Sequence, residues 1–324
     1  MVIGGIDMLE VGIPVFHSRE TLPAALDSLV AQTKKNFIVC LSIDGDGEDY
    51  SDIINEYIKR GLKIRLINGE INCGPGAARQ RVLDTTICDY ITFLDSDDMF
   101  MPRTVEILYS NAKLRGYDIM KSSFIRELPD QEDVMMSSTD NIITWMHGKV
   151  YRVQFLREKN IRFLDGLRTD EDANFNAIAF NATQNVGMTG EILYIWRANK
   201  SSLTRNKSRT DYFIETHFNY IKGQVEALKF VNTINKDISP QFITNTLIHI
   251  YYFYMQARFY KCDEQEMNDC ISSLKEEEWF KSWMKTPTNW MDALANVKAG
   301  QIYENEYVIF FEENFYNWGM RLWK

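Results

Sequence analysis

The chain has few cysteines, and none are spaced to act together. The five, Cys40, Cys73, Cys88, Cys262 and Cys270, contain no C-x-x-C pair. That argues against a disulfide framework and fits reduced, buried thiols, three of them in or beside predicted strands, in a cytosolic protein. Long hydrophobic runs are also missing. The most apolar late stretch, Leu247 to Met255, contains His249 and falls well short of the roughly 20 residues that a bilayer span needs. Met1 to Leu9 lacks the basic and long apolar regions of a secretory signal, so the expected location is cytoplasmic. Positive charge is not in excess. A formal net charge of -9 argues against a surface built as a whole for nucleic acid, while leaving room for a local basic groove. No internal repeat and no low-complexity segment occurs.

What the chain does have is enough apolar sequence, 45% of 324 residues, for a large core and an appendage. Its most telling stretch is Tyr90-Ile91-Thr92-Phe93-Leu94-Asp95-Ser96-Asp97-Asp98. A short β-favouring run stops at three carboxylates, which reads as a buried strand emptying into a loop. Clustered carboxylates repel and are costly to desolvate, so they commonly hold a hard cation. Two readings fit the spacing alone: a metal site at Asp95 and Asp97, or Asp97 or Asp98 capping the helix after Pro102.

The flanking pattern predicts alternating strands and helices. Strands are expected at Met8–Phe16, Phe37–Ile43, Leu62–Ile67, the run before Asp95, and Asp118–Phe124. The first helix follows Ser18 as cap, with Pro23 in its first turn. Further helices are expected around Ile53–Ile58, at Ala77–Leu83 and at Thr104–Arg115, with Gly61 and Gly116 closing two of them. Such alternation indicates a mainly parallel sheet flanked by helices. Asp44, Asn72 to Gly76 and Asp95 to Asp98 each follow a different strand, so all three loops share the sheet edge where ligands bind. Leu128–Asn141 reads as loop, Ile142–Arg157 as helical or mixed, Thr169–Phe180 as a helix behind an acidic triplet, and Ile192–Arg197 as a strand. From Tyr212 the periodicity is helical: Tyr212–Asn232, Pro240–Tyr260 and Glu264–Met284. This divides the chain into an α/β domain, 1–209, and a mainly helical C-terminal domain, 210–324.

Taken in order, these residues resemble the family 2 glycosyltransferases of GT-A fold, a Rossmann-like α/β class, over roughly the first two-thirds of the chain. The resemblance rests on Ile13-Pro14-Val15-Phe16-His17 with Leu22, Leu26, Ser28 and Gln32, on Asp44, and on Asn72-x-Gly74-x-Gly76-x-Ala78-Arg79. Asp95-Ser96-Asp97, Glu171-Asp172 with Phe175, and Trp196-Arg197 with Ser202-Leu203-Thr204 complete it. It implies an inverting enzyme that uses a nucleotide-sugar donor and a divalent metal, Mn2+ or Mg2+. Asp97 would ligate the metal, with Asp95 reaching it through water or facing the ribose. Asp44 would read the base, favouring a UDP-sugar. Pro14, Phe16, Asn72, Gly74, Arg79, Ser96 and Arg197 would line the nucleotide sugar, and Asp172 would be the base with Glu171 orienting the acceptor. Two positions depart from the family: His17 stands where Asn is common, and Asn199 where a histidine often helps hold the metal.

Each residue also has a plainer reading. Asp44 suits a turn before Gly45, and Arg79 and Arg197 suit structural salt bridges. Trp145 and His147 would line the acceptor site or belong to the core, and Trp279, Trp283 and Trp290 would stack on sugars or simply pack. The favoured acceptor is a saccharide hydroxyl. A second reading keeps the chemistry but places the acceptor in a hydroxymethylated DNA base, supported only by the basic run Arg197, Lys200, Arg205, Lys207 and Arg209. A third is a non-catalytic sugar-nucleotide-binding module, which hydrolysis of a sugar nucleotide with added metal would exclude. The sugar, the acceptor and the oligomeric state are not encoded in any motif found.

Overall fold

In the computed structural model, residues 6–127, 135–138, 144–198, 209–235, 240–259 and 263–286 are described. Asn199, the basic residues 200–207, Cys262, Trp290 and the aromatic C-terminus lie outside them. The chain divides into two compact units, Met1–Asn206 and Lys207–Lys324.

The first unit is built on β1 (Ile6–Val15), β2 (Phe37–Asp44), β3 (Ile64–Gly69) and β4 (Cys88–Phe93), which pair in parallel in the order β3-β2-β1-β4. Leu9, Val11 and Ile13 of β1 and Val39, Leu41 and Ile43 of β2 are buried, as are their alternate neighbours, because helices cover the sheet. Strands covered on both faces lose the in–out alternation and become the continuous apolar runs visible in the sequence. β3, at the sheet edge, is only partly covered, and Leu66 is exposed. The connections are α1 (Leu22–Val30), α2 (Ser51–Lys59) and α3 (Pro75–Thr85), each presenting apolar residues inward.

Beyond β4 the sheet becomes mixed. β5 (Met99–Phe100), β6 (Ile119–Glu127), β8 (Lys149–Arg152) and β9 (Val186–Trp196) extend it as β4-β8-β6-β9-β5, and β7 (Met135–Ser138) pairs with β6. The β4–β8, β6–β8, β6–β7 and β5–β9 ladders are antiparallel, while β6 and β9 are parallel. α4 (Ser110–Arg115), α5 (Val153–Glu158) and α6 (Glu171–Asn181) complete this unit.

Several local expectations change. Ser18 does not cap α1. Thr21 is at the N-cap, while Ser18 bonds to Phe16 and to the Ser96 hydroxyl. Part of the 128–141 loop is strand β7. The helix expected from Thr104 opens with a π-helical stretch, Val105–Tyr109, before α4, and closes at Gly116 with φ 66°. Neither Asp97 nor Asp98 caps it, since its N-cap is Thr104. Cys40 and Cys88 are buried, but Cys73 is exposed.

The second unit holds α7 (Arg209–Ile234), α8 (Pro240–Phe259), α9 (Glu264–Ser272) and α10 (Glu278–Met284), with a 3-10 turn at Ser273–Glu276 interrupting the single helix expected there. Ile221, Val225, Leu228, Leu247, Ile250, Met267, Leu274, Phe280 and Trp283 form its core, and Trp279 packs against it. Trp279 and Trp283 therefore take the packing role. No helix among the described residues is long and apolar enough to cross a membrane.

Because Ile13 is fully buried between two parallel ladders, Ile13→Ala should cost about 2–5 kcal/mol of unfolding free energy. Urea denaturation checks this, and an unchanged midpoint would contradict the packing described.

Candidate active site

The site collects at the carboxyl ends of β2, β3 and β4. Two residues beyond the end of β1 stands His17, whose φ of 48° is left-handed. Asn and His are among the side chains that tolerate this region, which gives a physical reason for either residue there. The His17 amide donates to Asp46, and its ring bonds Glu48 at 2.6 Å. Phe16 is partly exposed beside it, ring centroids 4.3 Å apart.

Asp44 ends β2 almost fully buried. Its Oδ2 accepts from the amides of Cys73 (3.1 Å) and Gly74 (2.7 Å), and its Oδ1 accepts from Arg81 (2.6 Å). Asn72 also accepts from the Gly74 amide. Gly45 (φ 68°) lies so close to this turn that a Cβ would meet the Ile71 backbone at 2.4 Å. Asp44 is thus the fastener between two of the three loops. Gly74 (φ 91°) then opens α3 at Pro75.

α3 delivers Arg79 into the interior, where its guanidinium forks. One nitrogen bonds Asp95 Oδ1 and the other Glu171 Oε1, each at 2.5 Å. Burial works against the Arg79 charge, but Asp95, Glu171 and Asp172 more than offset it, so the cation persists. Asp95 is pushed up by burial, but Arg79 and then His147 hold it below the ordinary carboxylate value. Gly76 allows this contact, since a Cβ there would meet Glu171 Cγ at 2.9 Å.

Glu171 and Asp172 open α6 behind Asp170, a non-glycine residue at φ 60° that stands at the N-cap without a side-chain cap bond. Burial, then Glu171, pushes Asp170 up to about 7. Asp172 is pushed well above its ordinary value by burial and then by Glu171, against the opposing pull of Arg79. Burial likewise raises Glu171. Desolvation and crowding outweigh the positive end of the helix dipole, which by itself would lower these carboxylates. Glu171 is buried, and its described partner is Arg79 rather than an exposed acceptor face.

On the other side, Asp98 is buried. It accepts the Tyr194 hydroxyl at 2.6 Å and the Arg197 amide at 2.8 Å, and the Asp95 amide donates to Tyr194 Oη at 3.4 Å. Asp98 therefore fastens the acidic loop to β9. Burial, Asp95 and Asp97 raise its pKa well above normal. Arg197 puts its guanidinium 3.9 Å from Glu127. Ser96 meets Ser18 at 2.8 Å.

His147 is buried among Tyr194, Trp196 and Phe124, with ring centroids at 4.6, 5.0 and 5.1 Å, and burial pulls it down to about 3. Trp145 is partly exposed beside Phe124 and Trp196. Lys149, buried on β8, donates to the Trp145 and His147 carbonyls, and burial lowers it to about 7.

Two groups of three side chains, among the described residues, bring ligand atoms within 4.8 Å of one another: Asp95, Asp98 and His147, and the more exposed His17, Asp46 and Glu48. Asp97 belongs to neither, and Asn199 lies outside the described residues. In the first group both Asp98 oxygens accept hydrogen bonds and His147 is enclosed by rings, so those two read as bracing. Sequence reasoning did not single out Tyr194, Arg81, Lys149 or Asn176. Tyr194, Arg81 and Asn176 act from inside elements expected from periodicity and Lys149 from β8, in a stretch read only as helical or mixed, and nothing there marks a polar side chain as a fastener.

Loops gathered at one edge of an α/β sheet, with an acidic loop and a buried acidic pair joined by an arginine, define the class of GT-A nucleotide-sugar-dependent transferases. The chain belongs to glycosyl transferase family 2, whose profile matches residues 10–180, over half of it. It is 26% identical over 219 residues to the uncharacterized glycosyltransferase EpsJ of Bacillus subtilis, covering 61% of this chain and 63% of that one. It is 27% identical over 206 residues to the poly(ribitol-phosphate) beta-glucosyltransferase of Bacillus spizizenii, covering 58% of this chain and 32% of that one. The chain thus spans less than two-thirds of these relatives. In fold it is similar to S. aureus TarS 1-349 in complex with UDP-GlcNAc (TM-score 0.56, 15% identity, 83% of this chain and 92% of that one). It is also similar to the mannosyltransferase PcManGT from Pyrobaculum calidifontis in complex with GDP-Man and Mn2+ (TM-score 0.56, 10% identity, 97% and 86%).

Tyr194→Phe keeps the ring but leaves a buried Asp98 oxygen and the Asp95 amide without their partner. It should lower stability by about 1–3 kcal/mol in denaturant titration. No loss would mean that the acidic loop is not fastened through Tyr194.

Proposed function

We propose that the protein is a metal-dependent inverting glycosyltransferase that moves a sugar from a nucleotide-diphosphate donor, a UDP-sugar, to a saccharide hydroxyl. The observation that carries this reading is the Arg79 fork, which joins the acidic loop of β4 to the Glu171-Asp172 pair of α6 inside one cage. The sugar-nucleotide complexes of TarS and PcManGT support the donor class, and the Mn2+ of PcManGT supports a metal.

Asp97 with Asp95 would hold the divalent cation; both are partly exposed, on one loop, and offer the hard oxygen donors such an ion prefers. Bound there, a cation neutralises charge on the departing diphosphate. Phe16, Pro14, Asn72, Gly74, Ser96 and Arg197 line the donor, and Asp44, held by the Asn72–Gly74 turn, stands at the base end. Asp172 takes the proton of the acceptor hydroxyl as that oxygen attacks the anomeric carbon from the side opposite the diphosphate. Burial, and then crowding beside Glu171 and Asp170, raises its proton affinity, as a general base requires. Glu171 keeps Arg79 in place, and the partly exposed Trp145 would present its ring to a sugar. Cleavage of a nucleotide sugar, with the metal added and then chelated, tests the reading; no turnover of any donor would end it.

Asp172→Asn keeps the shape and removes the base, so transfer should fall by about two orders of magnitude or more while donor binding survives. The same change should raise stability at neutral and alkaline pH. A carboxyl whose folded pKa lies above its unfolded one costs folding energy once it ionises, so the parent loses stability as pH rises through that window and the variant does not. Thermal melts across pH 5–9 check the sign, and identical pH dependence in both proteins would contradict it.

Asp97→Ala should abolish metal-stimulated donor turnover while leaving the melting temperature nearly unchanged. Full metal stimulation in that variant would remove the ligand role.

A further inference from the structure

Outside the carboxylate cage, two buried polar side chains converge on one backbone carbonyl. Asn176 is fully buried on α6, one turn beyond Asp172. Its amide nitrogen donates to the carbonyls of Thr144 (3.0 Å) and Trp145 (3.1 Å), and its Oδ1 accepts from the buried Tyr151 hydroxyl at 2.6 Å. Lys149 approaches from β8 and donates to the same Trp145 carbonyl and to that of His147 at 3.4 Å. Asparagine is a mediocre helix former, and burying its amide is costly unless it is paired. These bonds run from α6 to the neighbouring segment and to β8 instead of to the helix's own backbone. A buried lysine is costlier still. The donor groups of both side chains go to the backbone of residues 144–147.

We propose that Asn176 and Lys149 are positioning residues that lock the Thr144–His147 segment to the helix carrying Asp172, so that the wall bearing Trp145 keeps a set place relative to the base. This rests on the reading of Asp172 as base and Trp145 as an acceptor contact. Bimolecular transfer depends on sub-ångström placement of the attacking hydroxyl, so loosening this wall acts on the acceptor. Among the described residues, the hydrogen bonds that hold Asp44, Asn72, Arg79 and Asp95 involve neither Asn176 nor Lys149. Because both side chains share the Trp145 carbonyl, their effects should be coupled and not additive.

The test uses the full chain with Asn176→Leu, Lys149→Met and the double substitution; Asn176→Ser replaces the leucine if that variant does not fold. Amide hydrogen exchange is followed over residues 144–148, and steady-state kinetics are measured with UDP-glucose and p-nitrophenyl β-glucoside. Exchange in 144–148 should quicken by about tenfold or more, with α3 and β1 to β4 unchanged. KM for the glucoside should rise about tenfold to a hundredfold while KM for UDP-glucose holds, and the double variant should be no worse than the more severe single one. Unchanged exchange, a parallel rise of both KM values, or additive losses would overturn the proposal. If the parent protein turns over no sugar nucleotide, the proposed function fails, and the exchange measurement still decides whether the clamp exists.

Discussion

The fork of Arg79 between Asp95 and Glu171 is the interaction on which the rest depends. It joins the strand that ends in the acidic loop to the helix that begins with the acidic pair, two segments far apart in sequence. Four carboxylates, Asp95, Glu171, Asp172 and Asp170, crowd this interior, and without a buried cation their repulsion and desolvation would force some of them to take up protons or the loop to open. One guanidinium bridges two of them, one nitrogen to each, and its planar fork fixes the directions of both bonds more rigidly than a lysine ammonium would. Asp172, left outside the fork, keeps a raised proton affinity. The arrangement that holds the site together also separates a structural carboxylate from a basic one.

Around this centre each loop is fastened by a hydrogen bond that sequence inspection would assign to something else. Asp44 has the spacing of a turn residue and does hold a turn, but the turn is the Asn72–Gly74 segment of the next loop. Asp98 looked like a helix cap, and it instead ties the acidic loop to β9 through Tyr194 and the Arg197 amide. Burial makes such bonds expensive to lose, so they fix geometry more firmly than exposed contacts would.

The parallel half of the sheet was legible because strands covered on both faces are mostly apolar runs that end at acidic or glycine-rich loops, as in Phe37–Asp44 and Tyr90–Asp95. The shared loop edge followed from that alternation. The mixed half was less legible. β7 and β8 are four-residue strands, too short to display a period, and β9 begins six residues before the run Ile192–Trp196 that marks it. The acidic motifs could be placed in loops, but their pairing with Arg79 could not be read from spacing, since 92 residues separate Arg79 from Glu171. Tertiary contacts of that span carry no local signature.

The reaction proposed for this site is a single displacement with Asp172 as base. The most direct measurement is the proton NMR spectrum of the product formed from an α-linked UDP-sugar, recorded before any anomeric exchange. The account predicts that the first product carries the β-anomeric configuration. A first-formed α-linked product would contradict it.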